Sequence, residues 1–267
     1  MPAERDLTVL ALGDVVGKPG RRALADKIGE LVAETGAGFV LVNGENASGG
    51  LGLRPAEAEE MLALPIDVLS SGNHIWRYKE IRDYLDDSDR LLRPANYPPG
   101  SPGRGWTVQQ AADGTPVAVL NLQGLLFMED IDCPFRRAGE LLGRIRDQTA
   151  VVLVDFHAEA TSEKRALGHY LDGRVSAVLG SHTHVPTADA EVLAGGTGYL
   201  SDMGMCGPTD SVIGVRKQSA VDRFLTRLPN PFQVANGGLK LQGAVLQIDP
   251  ASGRCRRIEQ RSWPLAD

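Results

Sequence analysis

Cysteine is scarce in this sequence. The 267 residues contain only Cys133, Cys206 and Cys255, which are odd in number, far apart and outside any CxxC spacing. They therefore indicate neither a disulfide framework nor a cysteine-type zinc site. A chain of this length buries about three quarters of its unfolded surface, so it needs no disulfide bonds to fold. We expect a protein of a reducing compartment, the cytoplasm.

Long apolar runs and an excess of positive charge are also missing. No apolar run approaches the roughly 18 residues that a membrane-spanning helix needs, so we expect no membrane partner. The chain carries 28 Lys and Arg against 34 Asp and Glu, a formal net charge of −6. Because duplex DNA or RNA calls for a basic surface, we expect no duplex nucleic acid as the main partner. Small anions stay open as ligands if metal supplies the positive charge.

The sequence does contain short runs rich in Val, Leu and Ile, separated by segments of helical length. This alternation predicts an α/β fold in which helices pack on a sheet. The runs cover 7–13, 39–42, 66–71, 117–122, 150–156 and 175–180. Helices are predicted over 21–36, from about 55, around 78–85, over 136–146 and from about 162, and the later stretch LKLQGAVLQID favours antiparallel strands. We treat residues 1–267 as one domain.

Polar side chains follow five of these runs. They are Asp14; Asn43, Glu45 and Asn46; Asn73 and His74; His157; and His182 and His184. If the runs are neighbouring strands of a largely parallel sheet, these side chains meet at its carboxyl edge, where open α/β sheets bind their ligands. We therefore expect one crevice that holds most of the histidines of the chain.

Each of these residues has a simpler explanation when it is taken alone. Asp14 could cap a helix, Asn73 could form a tight turn, and His157 could be a core histidine. His182 and His184 are harder to explain in this way, because both rings of a strand-like HxH point to the same side. A donor after every one of five buried runs makes a shared site the better interpretation.

The donor types predict which ion the site would bind. Imidazole, carboxylate and amide donors without thiolate favour Mn, Fe or Zn over Ca. About six or seven donors exceed the three or four that one catalytic metal uses. We therefore predict two metal ions about 3.5–4 Å apart, Fe or Mn before Zn.

Six spaced blocks of the sequence resemble a known family. Asp14, the Gly-Asn-His turn at 72–74 and the late His-Thr-His at 182–184 are similar to the signature of the calcineurin-like metallophosphoesterases. More narrowly, the chain resembles the YmdB family of that superfamily between about residue 8 and about residue 215. The blocks that carry this resemblance are GDVVGKPGR, VNGENASGGLGL, SSGNHIW, NLQG, DFHAEATSEK and SHTHVPTAD.

The resemblance implies a fold and a role for each site residue. The fold is an αββα architecture, a two-sheet β-sandwich flanked by helices. The first block departs from the usual DxH of the superfamily, since Val16 stands where a histidine is common; the Glu45-Asn46 pair is implied to compensate. The implied ligands of metal one are Asp14, Glu45, Asn46 and His184. Those of metal two are Glu45, Asn73, His157 and His182.

The implied activity is hydrolysis of phosphoesters, with 2′,3′-cyclic nucleotides such as 2′,3′-cAMP as the expected substrates. Two metals would bind the anionic ester, and a bridging hydroxide would attack phosphorus. His74, near the metals but not bound to them, resembles the general acid of the family and would protonate the departing alkoxide.

Two other classes of function stay open at this point. A metal-dependent amidohydrolase also uses HxH, but normally at its first strand, whereas here it comes late. A regulatory protein that binds a nucleotide or RNA with little turnover would use the same ligands. The short late strands also allow a homo-oligomer.

Overall fold

In a computed structural model, which describes residues 6–229 and 231–265, short buried strands alternate with helices as the sequence predicts. The strands are β1 (Leu7–Leu12), β2 (Asp14–Val15), β3 (Phe39–Asn43), β4 (Val68–Ser70), β5 (Trp106–Gln110), β6 (Pro116–Gln123), β7 (Val151–His157), β8 (Ala177–Ser181), β9 (Glu191–Val192), β10 (Gly198–Leu200), β11 (Met205–Pro208), β12 (Leu239–Ile248) and β13 (Cys255–Pro264). The helices are α1 (Gly17–Thr35), α2 (Pro55–Leu62), α3 (Ile81–Asp87), α4 (Pro134–Arg146), α5 (Thr161–Leu171) and α6 (Lys217–Thr226), with a 3₁₀ turn at Ile75–Arg77.

The strands form two sheets. The first has the order β2-β11-β12-β1-β3-β4, with β13 paired to β12, and the second has the order β5-β6-β7-β8-β10-β9. Strands β1, β3 and β4 are parallel in the first sheet, and β6, β7, β8 and β10 are parallel in the second. The single sheet inferred from the apolar runs is therefore wrong. The two-sheet sandwich flanked by helices, which the resemblance implies, is confirmed.

Strand β1 shows how the layers are built. Val9 and Ala11 lie in the core between the two sheets, together with Val119 from β6. Leu10 and Leu12, at the alternate positions, lie in the core that packs α1, α2 and α3 on the first sheet. A third core packs α4 and α5 on the outer face of the second sheet. Because successive side chains of a strand point to opposite faces, a continuously apolar run can supply two cores at once.

The first helix begins earlier than the sequence indicated. It takes in Pro19 and Gly20, which precede the predicted start of the helix at residue 21. Proline fits the first helical turn because the N–H groups there have no helical partner to lose. The helix ends as predicted, with Gly36 in the left-handed region at φ 68°.

The late antiparallel strands are confirmed, and they are more extensive than expected. Strand β12 pairs with β1 on one side and with β13 on the other. Strand β13 escaped prediction because only a few of its residues are buried, so its sequence has no apolar run. Within the described residues, no helix combines the length and the apolarity that crossing a membrane requires.

Candidate active site

The predicted donors meet where the parallel strands of both sheets end. The first sheet contributes Asp14 after β1, Glu45 and Asn46 after β3, and Asn73 and His74 after β4. The second sheet contributes His157, the last residue of β7, and His182 and His184 after β8. All eight residues to which the resemblance gives a role therefore lie in one region, although they come from two sheets rather than one.

One group of donors surrounds the ring of His184. Its Nε2 atom lies 3.3 Å from Oδ1 of Asn46 and 3.7 Å from Oδ1 of Asp14. On the other side of the ring, Nδ1 lies 2.9 Å from the carbonyl oxygen of Ile213, to which it can donate. That bond fixes the tautomer in which the Nε2 lone pair faces Asp14 and Asn46. His184 thus lies next to two of the other three ligands implied for metal one.

A second group of donors surrounds Nε2 of His157. This atom lies 3.2 Å from Oδ1 of Asn73, 3.0 Å from Nδ1 of His182 and 3.7 Å from Oε1 of Glu45. The rings of His157 and His182 meet edge to face, with their centroids 4.7 Å apart. With His157, these three residues are the ones implied for metal two, and each of the three directs a nitrogen or oxygen atom toward Nε2 of His157.

The carboxylate of Glu45 organises the turn that carries Asn73 and His74. Glu45 is fully buried and accepts hydrogen bonds from the backbone N–H groups of Gly72 and His74. Nδ1 of His74 lies 3.1 Å from Oε1 of Glu45, and the His74 side chain is 34% exposed. Burial raises the pKa of Glu45, but the contacts with His157 and His74 outweigh it and hold the pKa below its usual value. His74 is therefore next to the donor groups and still open to solvent.

A buried polar network contacts His157 at Nδ1, on the side away from the other donors, and the sequence did not predict it. Nδ1 of His157 lies 3.1 Å from the hydroxyl of Ser181, which donates to Oδ1 of Asp155 at 2.6 Å. The other oxygen of Asp155 accepts from Ser70 and Asn43. The available signal was a charged residue inside the apolar run of β7. Because the Ser181 proton points to Asp155, its oxygen accepts from Nδ1 and leaves the Nε2 lone pair of His157 facing the donors.

The loop after β8 differs from the strand-like HxH that we expected. Strand β8 ends at Ser181, and both histidines lie beyond it at positive φ, 95° for His182 and 65° for His184. A residue other than glycine in this region costs on the order of 1–3 kcal/mol. The strand interpretation is therefore wrong, and the two rings reach different donor groups because the chain bends at each histidine.

Burial and charge set the protonation of the central groups. Burial lowers the pKa of His157 to about 3, so the ring is neutral at physiological pH, as a metal ligand must be. Burial also lowers the pKa of His184, but the contact with Asp14 and its negative charge outweigh it and raise the pKa. For Asp14, burial raises the pKa, yet the interactions with His184 and His157 hold it below its ordinary range. The site thus keeps an ionised carboxylate in a fully buried position.

One oxygen of the Asp14 carboxylate is buried without a hydrogen-bond partner among the described residues. Oδ1 of Asp14 is buried and accepts no hydrogen bond in the described structure, whereas Oδ2 accepts the backbone N–H of His182 at 3.1 Å. An unpartnered buried charge is costly unless a cation pairs with it. In the part of the chain that the structure describes, no three His, Cys, Asp or Glu side chains form a ready-made ion-binding group. The donor set nevertheless fits a metal, because Asn46 and Asn73 supply amide oxygens beside the rings and carboxylates.

Gly72 is needed for close approach. A Cβ atom at this position would lie 2.1 Å from Cδ2 and 2.3 Å from Nε2 of His157. The imidazole therefore packs directly on the backbone of the turn that carries Asn73 and His74.

The fold places the chain in the class of calcineurin-like phosphoesterases, since two packed sheets bring their carboxyl ends and a common set of Asp, Asn, Glu and His side chains to one edge. A profile of YmdB-like proteins matches residues 10–261, and the chain belongs to this family. The match reaches further toward the end of the chain than the sequence blocks indicated.

Individual relatives agree with this assignment. A protein of Bacillus subtilis (strain 168), described as a 2′,3′-cyclic-nucleotide 2′-phosphodiesterase, is 44% identical over 254 residues, which cover 95% of this chain and 96% of that protein. A hypothetical protein from Thermus thermophilus has a solved structure with a TM-score of 0.90 at 41% identity, covering 97% of this chain and 99% of that one. A phosphatase structure from Mycoplasma pneumoniae also has a TM-score of 0.90, at 30% identity, and covers 97% and 94% of the two chains.

Proposed function

We propose that this chain is a metal-dependent phosphoric ester hydrolase that opens 2′,3′-cyclic nucleotides. The substrate class follows the description of the Bacillus subtilis relative, which is similar to this chain over nearly its whole length. If the bond to the 2′ oxygen breaks, as that description says of the relative, 2′,3′-cAMP would give the 3′-monophosphate. The metal dependence rests on the side chains of this chain.

The observation that carries the metal proposal is the unpartnered Oδ1 atom of Asp14. This atom is buried, its carboxylate has a lowered pKa, and the ring of His184 points Nε2 at it from 3.7 Å. A cation at this place would remove the cost of the buried negative charge. It would be bound by lone pairs of Oδ1 of Asp14 and Nε2 of His184. Fe or Mn fits this mixture of donors best, with Zn as a third option.

Two groups of side chains would hold two ions. One ion would be held by Asp14, Glu45, Asn46 and His184. The other would be held by Glu45, Asn73, His157 and His182. When bound, such ions supply positive charge beside an anionic ester and lower the pKa of a water molecule from about 15.7 towards about 7. The place of Glu45 in both groups is supported by its contact with His157 and by its position next to Asn46 in the chain.

His74 is suited to protonate the leaving oxygen. Burial lowers its pKa, but the hydrogen bond from its Nδ1 to Glu45 and the negative charge of Glu45 outweigh burial and raise it. The ring therefore keeps a proton to higher pH than an ordinary histidine does. Since the side chain is partly exposed, a departing alkoxide can reach the ring, and Glu45 holds the ring in place while the proton leaves.

The test uses metal-stripped protein to which Mn²⁺ or Fe²⁺ is returned. We expect hydrolysis of bis-p-nitrophenyl phosphate and of 2′,3′-cAMP only after metal is added, with 3′-AMP as the nucleotide product. A 3′,5′-cyclic nucleotide serves as the matched substrate control. Metal-loaded protein that hydrolyses no phosphoester would overturn the proposal and leave a binding role for the same site.

A further inference from the structure

The strained backbone of the loop at His182 and His184 must be stabilised by other contacts. Both histidines have positive φ, and Thr183 lies between them. Strained backbone of this kind persists only where surrounding contacts fix it. The N–H of His182 is bound by Asp14 and the ring of His184 by the carbonyl of Ile213, and the residue between them is bound by Asp202, which lies outside both donor groups.

Asp202 is almost fully buried, with 1% of its surface exposed, and it binds the centre of the loop. Its Oδ2 atom accepts the backbone N–H of Thr183 at 3.1 Å and the Thr183 hydroxyl at 2.7 Å. These two bonds fix Thr183, the residue between the histidines, through both its backbone and its side chain. A rotation of the loop at either histidine would break at least one of them.

The same carboxylate also reaches the segment beside Asp14. Its Oδ1 atom accepts the N–H of Gly204 at 2.8 Å, and the carbonyl of Gly204 accepts the N–H of Asp14 at 3.3 Å. Asp202 therefore connects the loop that carries His184 with the backbone that carries Asp14. These are the two segments whose side chains face each other across 3.7 Å.

Lys164 completes the arrangement from helix α5. Its Nζ atom lies 2.8 Å from Oδ2 of Asp202, and only 2% of the residue is exposed. A buried carboxylate needs a partner of opposite charge, and a buried lysine rarely occurs without one. The pair does not touch the unpartnered oxygen of Asp14, so it lies behind the donors rather than among them.

We propose that the buried Lys164–Asp202 pair is a positioning element that sets the separation of His184 and Asp14 through Thr183 and Gly204. The proposal rests on the proposed function, since the positioned atoms are those that would bind metal. Groups that orient metal ligands from behind typically change metal affinity about 10–100-fold when they are removed. The pair would thereby act on metal affinity without contacting metal or substrate.

The experiment compares Asp202→Asn with Asp189→Asn in the full chain. Asp189 accepts hydrogen bonds from Thr187 and Ser201, and Thr187 also binds the backbone N–H of Asp202. Because Asp189 contacts neither Thr183 nor the Asp202 carboxylate, it is the control for changes in the backbone around Asp202. Metal-stripped protein is titrated with Mn²⁺ by calorimetry. We expect about 10–100-fold weaker Mn²⁺ binding for Asp202→Asn and unchanged binding for Asp189→Asn. Equal affinity in both variants overturns the proposal.

Thr183 supplies a second pair of variants in case Asp202→Asn does not fold. Thr183→Val removes the hydroxyl at nearly the same volume, and Thr183→Ser keeps it. We expect weaker Mn²⁺ binding for the valine variant and recovery in the serine variant, which a general loss of stability would not produce. Wild-type affinity in the valine variant counts against the positioning role.

A third measurement separates this inference from the proposed function. Amide hydrogen exchange around Thr183, measured without metal, should become faster in Asp202→Asn and stay unchanged in Asp189→Asn. If the wild-type protein binds no Mn²⁺, the proposed function fails, and the exchange rates then decide the positioning role alone. Unchanged protection of Thr183 in Asp202→Asn overturns that role.

Discussion

The Nδ1 atom of His157 lies 3.1 Å from the hydroxyl oxygen of Ser181. Because that hydroxyl donates to Asp155, its oxygen accepts a hydrogen bond from the Nδ1 N–H, which leaves the lone pair of Nε2 facing Asn73, His182 and Glu45. The tautomer of His157 at the centre of the site is thus set by a hydroxyl that hydrogen-bonds to no other side chain of the two donor groups.

Ser181→Ala should therefore weaken metal binding. Without the hydroxyl, His157 loses the acceptor that fixes its tautomer, and loss of such a partner typically costs about 10–100-fold in affinity. Calorimetric titration of metal-stripped protein with Mn²⁺ measures the change. Ser70→Ala is the control, since Ser70 also donates to Asp155 but has no contact with His157. Equal losses in the two variants would show that only the general stability of the network matters.

Asp14→Asn tests whether the unpartnered carboxylate oxygen belongs to a cation site. The amide keeps the shape of the side chain and its bond to the N–H of His182 but removes the negative charge. For wild-type protein, Mn²⁺ at about 100 times its dissociation constant should add about 2.7 kcal/mol to the free energy of unfolding. We expect the corresponding rise in melting temperature to shrink in Asp14→Asn and to persist in Asp172→Asn, whose carboxylate accepts the N–H of Gly195 at the end of helix α5. A full rise in Asp14→Asn would contradict the assignment.

Much of this site could be predicted from the sequence because strand ends are easy to find. Asp14, Glu45, Asn73 and His157 each follow a short buried run, and parallel strands bring their carboxyl ends together. The runs do not reveal which strands share a sheet, however. A strand that is apolar on both faces has the same sequence pattern whichever sheet it belongs to. The two-sheet arrangement was therefore predicted from the family resemblance alone.

The supporting contacts could not be predicted in this way. Asp155, Ser181 and Asp202 act through partners that are distant in the chain, and their spacing in the sequence carries no signal of those contacts. The bends at His182 and His184 were also hidden, since an HxH pattern after an apolar run is typical of a strand. Positive φ at these residues is imposed by tertiary contacts against the local preference.

Gly72→Ala should disrupt the site while leaving the fold intact. The added methyl group would lie 2.1 Å from Cδ2 of His157, so either the ring or the turn must shift. We expect a large loss of phosphodiesterase activity, measured as kcat/KM on bis-p-nitrophenyl phosphate. The control is Gly143→Ala in helix α4, where a Cβ atom meets nothing within 4 Å and alanine favours the helix by about 0.5–1 kcal/mol. Retained activity in Gly72→Ala would show that His157 can move without consequence.

Asp67 gives a pH-dependent prediction away from the site. Burial raises its pKa, although Oδ2 accepts the N–H of Val40 at 2.7 Å. A folded-state pKa above the unfolded one favours folding at low pH, and that contribution is lost as pH rises through the raised pKa. Asp67→Asn keeps an acceptor for Val40 but does not ionise. The melting temperature of the variant relative to wild type should therefore increase from about pH 3 to about pH 7; a constant or falling difference would contradict this sign.

His74→Ala separates an enzyme from a binding protein. The ring contacts Glu45 and lies 3.4 Å from Asn46, but it is the only one of the eight site residues that we place outside both donor groups. Its loss should leave the Mn²⁺ stoichiometry as in wild type and lower kcat on 2′,3′-cAMP by about 10²–10⁴-fold, the usual contribution of a general acid. The loss should be smaller for bis-p-nitrophenyl phosphate, because p-nitrophenolate leaves readily without a proton, whereas the ribose alkoxide needs one. An equal fall for both substrates would mean that His74 positions Glu45 rather than donating the proton. Unchanged turnover on both would leave no role for His74 in the reaction.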